Sequence, residues 1–174
     1  FSSRRRHTRW SGDWSSDVAL PIYKRTLQTA APIAEKQEHC SIISLPEFNE
    51  IYAGVCDGMT YAEIREQMPE VATNRKHNKY DYVYPEGEGY ATMEERIHRG
   101  LQKVFYLNNY DDNIMIVGHR AVNRMILSDF VFRPKEEVPY IYMPQNRYYH
   151  LQVDPHKKIF ELKPEAKEPI KAKT

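Results

Sequence analysis

The stretch NIMIVGHRAVNRMIL, residues 113–127, decides the fold class. Its first five residues, 113–117, form an apolar run typical of a buried strand. Gly118 and His119 end that run, and residues 121–132 have the pattern of a helix. Ligands of open parallel sheets bind at the carboxyl ends of the strands, where such a turn lies. The stretch therefore predicts an α/β fold with a ligand site near His119.

Helices and strands continue to alternate upstream of this stretch. Residues 24–36 have the pattern of a helix that Pro32 disturbs, and residues 40–45 that of a short strand. Thr60, followed three positions later by Glu63, is a capping box that predicts the start of a second helix. The order of these elements favours a sheet whose strands are joined by helices.

Two further elements are predicted from turn and capping signals. Thr92 and Glu95 have the spacing of another capping box. The helix it predicts carries an apolar stripe formed by Met93, Ile97, Leu101, Val104 and Phe105. Residues 148–153 and 158–162 predict a hairpin around Asp154 and Pro155.

Composition indicates one soluble, cytosolic domain. The chain has 174 residues, of which 41% are hydrophobic, and its 25 basic and 24 acidic residues give a formal net charge of +1. That balance argues against a nucleic-acid partner. Two cysteines are too few for a disulfide framework. We expect no membrane partner, since no apolar run approaches the ~20 residues of a spanning helix and no signal peptide opens the chain.

The two ends differ in composition from the middle. Residues 1–17 hold both tryptophans and carry a local net charge of +2. A basic arm for nucleic acid or a membrane surface is one interpretation, and a foreign or disordered basic segment is the one we favour. We expect residues 18–162 to form the domain and the Lys/Pro-rich residues 163–174 to be a solvated tail.

Familiar cofactor motifs do not occur. The sequence contains no phosphate-binding P-loop, no dinucleotide-binding glycine pattern and no HExxH or CxxC, so we expect neither a cofactor nor a metal. His119, Arg120 and Arg124 lie instead at a predicted helix N-terminus, where guanidinium groups and free N–H groups favour an anion. The alternative is that His119 is a hydrogen-bonded packing residue.

Other candidates are ambiguous when each is taken alone. Arg25 opens a predicted helix and is either a second anion clamp or part of a solvated basic turn. Glu50 is by default a surface residue, but beside an anion site it has the chemistry of a general acid. Four more polar residues would ordinarily be assigned to the surface: Tyr61, Arg75, Lys79 and Tyr90.

Four motifs together resemble the histidine phosphatase superfamily: KRTLQTA (24–30), NEIYAGVCDGMTYAEI (49–64), YPEGEGY (84–90) and IMIVGHRAVNRMIL (114–127). They are most similar to the fructose-2,6-bisphosphatase domains of bifunctional 6-phosphofructo-2-kinase/fructose-2,6-bisphosphatases. The resemblance extends from about residue 18 to residue 162. It implies a three-layer α/β fold of the phosphoglycerate-mutase type with a mostly parallel central sheet.

The resemblance also implies a phosphohistidine mechanism for hydrolysis of the 2-phosphate of fructose 2,6-bisphosphate. Glu50 would be the acid and base, His119 the second histidine, and Arg25 the clamp on the transferred phosphate. Arg120, where this family usually has glutamine, would add a phosphate contact. The residues implied for the sugar and its 6-phosphate are Tyr61, Arg75, Lys79, Tyr90 and Arg124.

The departures from the family pattern lead to further expectations. The RHG motif that carries the nucleophilic histidine is missing, and His7 lies in RHT instead. We therefore expect a fragment without its first strand or nucleophile, inactive as written. Tyr52 stands where the family usually has aspartate, which affects packing beside Glu50.

The parent protein implied by the resemblance is bifunctional. It would contain an ATP-binding kinase domain, act in fructose metabolism and the regulation of glycolysis, and form a homodimer. Two alternatives stay open: another histidine phosphatase acting on a small phosphometabolite, and a non-catalytic pseudophosphatase that binds a sugar phosphate.

Overall fold

Two small sheets organise the strands. The structure is a computed structural model that describes residues 18–20, 23–37, 40–108, 113–131, 133–153 and 158–164. Strands β1 (Val18–Leu20), β2 (Ile42–Ser44) and β3 (Met115–Ile116) form a parallel sheet in the order β2–β1–β3. Strands β4 (Arg147–Val153) and β5 (Lys158–Pro164) form an antiparallel hairpin, which confirms the predicted one.

Helices connect and flank the parallel strands. The α-helices are α1 (Lys24–Ala34), α2 (Tyr61–Gln67), α3 (Pro69–His77), α4 (Tyr90–Leu107) and α5 (Arg120–Ser128). Short 3₁₀ turns lie at Pro46–Phe48, Gly54–Cys56 and Lys135–Tyr140. Since α1 follows β1 and α5 follows β3, both helices begin at the carboxyl edge of the sheet, as the sequence predicts for a ligand site.

The main core forms where α4 packs against α5 and the 3₁₀ turn Pro46–Phe48. Phe48 enters it from the turn and is fully buried. The predicted stripe on α4 is confirmed for its first four members, which are Met93, Ile97, Leu101 and Val104. Phe105 is exposed, because it lies at the edge of the stripe, about 100° around the helix from the buried Val104.

The start of α4 corrects one prediction. Gly89 is the N-cap residue, and the Thr92 hydroxyl accepts a hydrogen bond from Gly89 N at 2.8 Å. Thr92 therefore lies in the first turn rather than at the cap, and the proposed box of Thr92 with Glu95 is wrong. The box of Thr60 with Glu63 is confirmed, with both reciprocal hydrogen bonds present.

Three elements were harder to predict. Helix α3 has no apolar stripe and begins with Pro69 at its first position, so periodicity did not indicate it. Strand β1 is too short for a periodic signal. Strand β3 spans two half-buried residues, where a five-residue buried strand was predicted.

Several predictions fall on residues that the structure does not describe. They concern residues 1–17 with His7, the hairpin turn at Asp154 and Pro155, and the tail beyond residue 164. The domain boundaries and the missing first strand stay predictions. Across the described ranges, no helix combines the length and apolarity needed to cross a membrane, and no His/Cys/Asp/Glu cluster is suited to a metal.

Candidate functional site

His119 lies at the carboxyl end of the sheet as the N-cap residue of α5. Its side chain is buried, with 8% of the residue exposed. Arg25, the second residue of α1, donates a hydrogen bond from Nε to His119 Nδ1 at 3.2 Å. His119 Nε2 is buried, and no described residue provides it with a hydrogen-bond partner. The parallel sheet thus brings together two residues that are 94 positions apart in sequence.

The hydrogen bond from Arg25 determines which nitrogen of the neutral His119 ring carries the proton. Because Nδ1 accepts from Arg25, the neutral ring carries its proton on Nε2. Burial, and then the positive charge of Arg25, lower the pKa of His119 from 6.5 to about 4. At neutral pH, His119 therefore offers a buried N–H donor, which suits an anionic oxygen.

Acid should destabilise the protein through His119. The unfolded chain binds the proton near pH 6.5 and the folded chain only near pH 4, so stability is lost as the pH falls between these values. We expect a loss of about 3 kcal/mol between pH 7 and pH 4 that His119→Asn does not show. The asparagine oxygen can still accept from Arg25. Urea unfolding at both pH values measures this, and equal pH dependence in the two chains would contradict it.

Lys79 and three nearby arginines form a cluster of four cations. Burial, followed by the charges of Arg75, Arg124 and Arg120, lowers the pKa of Lys79 to about 8. Lys79 Nζ donates to the carbonyl of Pro139 at 3.2 Å and lies 4.8 Å from the ring centre of Tyr140. A cluster of cations of this kind is a candidate site for an anion.

Arg124 joins this cluster to Tyr90. Its Nε donates to the carbonyl of Ile141 at 2.8 Å, and its Nη1 lies 3.4 Å from the Tyr90 hydroxyl. Burial raises the pKa of Tyr90, an effect opposed by Arg124 and reinforced by the charge of Glu50. Glu50 therefore lies within electrostatic reach of the same tyrosine, which places the proposed acid near the cation cluster.

The segment that carries Glu50 is held from two sides. Arg96 of α4 donates from Nη1 to the carbonyls of Glu47 and Asn49, at 2.6 and 2.8 Å. It also forms a bidentate ion pair with Glu88, with both N···O distances 2.8 Å. Glu88 in turn accepts from Tyr52 N at 3.1 Å, so the backbone is fixed on both sides of Glu50.

These contacts hold Glu88 in its charged form. Burial acts to raise the pKa of Glu88, but hydrogen bonds from Arg96 and from Tyr52 N outweigh it and lower the pKa overall. Glu50 itself accepts a hydrogen bond from Ile51 N at 3.0 Å. The ion pair between Arg96 and Glu88 is therefore a structural support for the segment that carries Glu50.

The structure brings most of the predicted site residues into one region, with two at its margin. Arg120 is exposed on the first turn of α5 but close enough to affect Lys79. Tyr61 is 53% exposed on α2, and within the described ranges no hydrogen bond or ring contact joins it to the others. Three aromatic residues were missed because isolated tyrosines carry no sequence signal: Tyr23 beside His119, Tyr84 beside Arg75, and Tyr140 beside Lys79.

Comparisons with known proteins bear on the family and the fold of the chain. The profile described as "Histidine phosphatase superfamily (branch 1)" matches residues 2–164. The 6-phosphofructo-2-kinase/fructose-2,6-bisphosphatase of Gallus gallus is 37% identical over 131 residues, covering 75% of this chain and 25% of that protein. Its counterpart in Arabidopsis thaliana is 34% identical over 143 residues, covering 79% and 18% respectively. The chain thus spans about a quarter or less of these relatives.

Solved structures share the fold at low sequence identity. The alpha-ribazole phosphatase of Shigella flexneri has a TM-score of 0.71 and 17% identity, with 87% of this chain and 76% of that chain covered. The mycobacterial glucosyl-3-phosphoglycerate phosphatase has a TM-score of 0.66 and 15% identity, covering 85% and 76%. Both confirm the predicted phosphatase-type α/β fold.

Proposed function

The chain belongs to the histidine phosphatase superfamily, and from this premise we propose that it carries the substrate site of a fructose-2,6-bisphosphatase. The reaction is hydrolysis of the phosphate ester at C2 of fructose 2,6-bisphosphate, which yields fructose 6-phosphate and inorganic phosphate. Support comes from the relatives whose names include this activity.

The cation cluster around Lys79 is the observation that carries the proposal. A phosphate monoester holds up to two negative charges near neutral pH. Arg25 and the His119 N–H donor form one phosphate-binding pair, while Lys79, Arg75 and Arg124 form another group of cations. Two separate groups of donors suit a substrate with two phosphates better than one with a single phosphate.

The proposed chemistry assigns a role to each group. A histidine nitrogen attacks the phosphorus of the 2-phosphate. The bond between that phosphorus and the C2 oxygen breaks, and Glu50 gives the oxygen a proton. In the second step, Glu50 takes a proton from a water molecule as the water oxygen attacks the phosphorus of the phosphohistidine. The phosphorus–nitrogen bond breaks, which frees the histidine and releases inorganic phosphate. Arg25 and His119 donate to the phosphoryl oxygens, where charge is held during transfer.

The nucleophile is the group that these residues do not supply. RHG does not occur among the 174 residues, and His7 in RHT lies outside the described ranges. We propose that this chain binds the bisphosphate without measurable turnover, because loss of the covalent nucleophile removes the low-barrier route. The second candidate is a non-catalytic sugar-phosphate-binding protein, which a native N-terminus without RHG would favour and a foreign one would not.

The wider setting is part of the proposal. Since the relatives' names include a kinase, we propose an ATP-binding kinase domain in the parent protein, a role in fructose metabolism and the regulation of glycolysis, and a homodimer formed through the parent. The cytosolic location and the lack of a nucleic-acid or membrane partner stay predictions.

Calorimetry with three ligands tests the proposed substrate. We expect fructose 2,6-bisphosphate to bind at least about tenfold more tightly than fructose 6-phosphate or glucose 6-phosphate, because a second phosphate adds charge-assisted hydrogen bonds. Equal affinity for all three would favour another phosphometabolite, and no binding would overturn the proposed site. Release of fructose 6-phosphate, followed in a coupled assay, would contradict the absence of turnover.

Lys79 should give this binding a characteristic pH dependence. A bound phosphate favours charged Lys79, so affinity should fall as the pH rises above the free pKa of about 8, by up to about tenfold per pH unit. Lys79→Met should bind the bisphosphate more weakly at pH 7, and its affinity should not decrease further above about pH 8. Lys76→Met is the matched control on an exposed position of α3 and should behave like the unmodified chain. A fall of the same size in Lys79→Met would contradict the assignment.

A further inference from the structure

Tyr23 contacts both members of the Arg25–His119 pair. Its ring centre lies 5.2 Å from that of His119, with the rings at 80°. The Arg25 guanidinium carbon lies 5.3 Å from the centre of the Tyr23 ring. With the 3.2 Å hydrogen bond from Arg25 to His119, the three side chains form a closed triangle.

The position of Tyr23 is fixed by the first turn of α1. Its carbonyl accepts from Thr26 N at 3.1 Å, from Thr26 Oγ1 at 2.6 Å and from Leu27 N at 3.3 Å. Tyr23 is 43% exposed, so deep burial does not hold its side chain in place. The backbone of the first turn therefore fixes Tyr23 at a position where its ring contacts both Arg25 and His119.

Arg25 needs such a support. It is exposed, and an unrestrained arginine side chain loses considerable rotamer freedom when it is held in one geometry. A cation over an aromatic ring restricts that freedom and directs the planar guanidinium. The donor side of the Arg25–His119 hydrogen bond thus depends on the Tyr23 ring.

We propose that Tyr23 is a positioning residue that holds Arg25 against His119 Nδ1 and so keeps His119 as the tautomer with its proton on Nε2. That tautomer turns its N–H toward a phosphoryl oxygen, whereas the other would present a lone pair and repel it. The link to phosphoryl binding rests on the proposed function; the link from Tyr23 to the tautomer does not.

Nitrogen NMR of the histidine rings tests the link to the tautomer. In the full chain at pH 7, His119 should show a protonated Nε2 and an unprotonated, hydrogen-bonded Nδ1, with its signals assigned by their loss in His119→Asn. Tyr23→Phe keeps the ring and should keep this pattern. Tyr23→Leu should give signals averaged between the two tautomers, because Arg25 is no longer held.

Phosphate titration supplies the second readout. Tyr23→Leu should bind inorganic phosphate about threefold more weakly than the unmodified chain, and Tyr23→Phe equally well. A protonated Nδ1 in the unmodified chain, or an unchanged His119 pattern in Tyr23→Leu, would overturn the proposal. If the tautomer changes as expected while the unmodified chain binds no phosphate, the positioning role stands and the proposed function fails.

Discussion

Replacing Arg96 with methionine should lower the free energy of unfolding by about 4 kcal/mol. The change leaves the Glu88 carboxylate without its bidentate partner, although the Glu88 side chain is only 28% exposed. It also removes the donor to the carbonyls of Glu47 and Asn49. Buried polar groups left without partners cost more than the net value of the hydrogen bonds they made.

The same helix offers a matched control for Arg96. Arg99 forms an ion pair with Glu95 one turn away, but both side chains are more than half exposed. Arg99→Met should therefore change stability by less than about 0.5 kcal/mol. Urea unfolding of the two variants measures the contrast, and losses of similar size would show that Arg96 does not support the Glu50 segment.

Gly54→Ala should cost at least about 4 kcal/mol or prevent folding. A Cβ atom at this position would lie 1.9 Å from the carbonyl oxygen of Pro85 and 2.7 Å from Gly87 N, both backbone atoms. The φ of Gly54 is also +56°, in the region that favours glycine. Separating the two backbone segments would also break the hydrogen bond from Val55 N to the carbonyl of Pro85.

Gly58→Ala separates the cost of a positive φ from the cost of a steric clash. Gly58 too has a positive φ, +79°, but a Cβ atom there would meet no atom within 4 Å. Gly58→Ala should therefore cost only the backbone strain, about 1 kcal/mol. Thermal unfolding and the soluble yield of both variants test this. An equally mild effect at Gly54 would mean that residues 54 and 85–87 do not pack as described.

Structure was predicted best from the sequence where residues close together in the chain determine it. The capping box of Thr60 with Glu63 depends on only four consecutive residues and not on distant packing, and the structure confirms it. The stripe on α4 follows from helical spacing alone. Helix α3 was missed because it packs few apolar side chains, and the supposed box at Thr92 failed because Gly89 can cap a helix without a side chain.

The candidate site shows the same division. Motifs pointed to His119, Arg25 and Lys79, but only the fold shows that Arg25 hydrogen-bonds His119 and that three arginines surround Lys79. The support from Tyr23 and from the Arg96–Glu88 pair could not be predicted, because each depends on contacts between distant segments or on ring geometry.

Phosphorus NMR of fructose 2,6-bisphosphate tests the central claim, that one site holds the two phosphates with two separate groups of residues. Both phosphorus signals should shift when the unmodified chain is added. The shift of the 2-phosphate signal should be lost in Arg25→Gln, and that of the 6-phosphate signal in Lys79→Met. If neither signal moves, or if both variants lose the same one, two separate phosphate-binding groups do not exist in this chain.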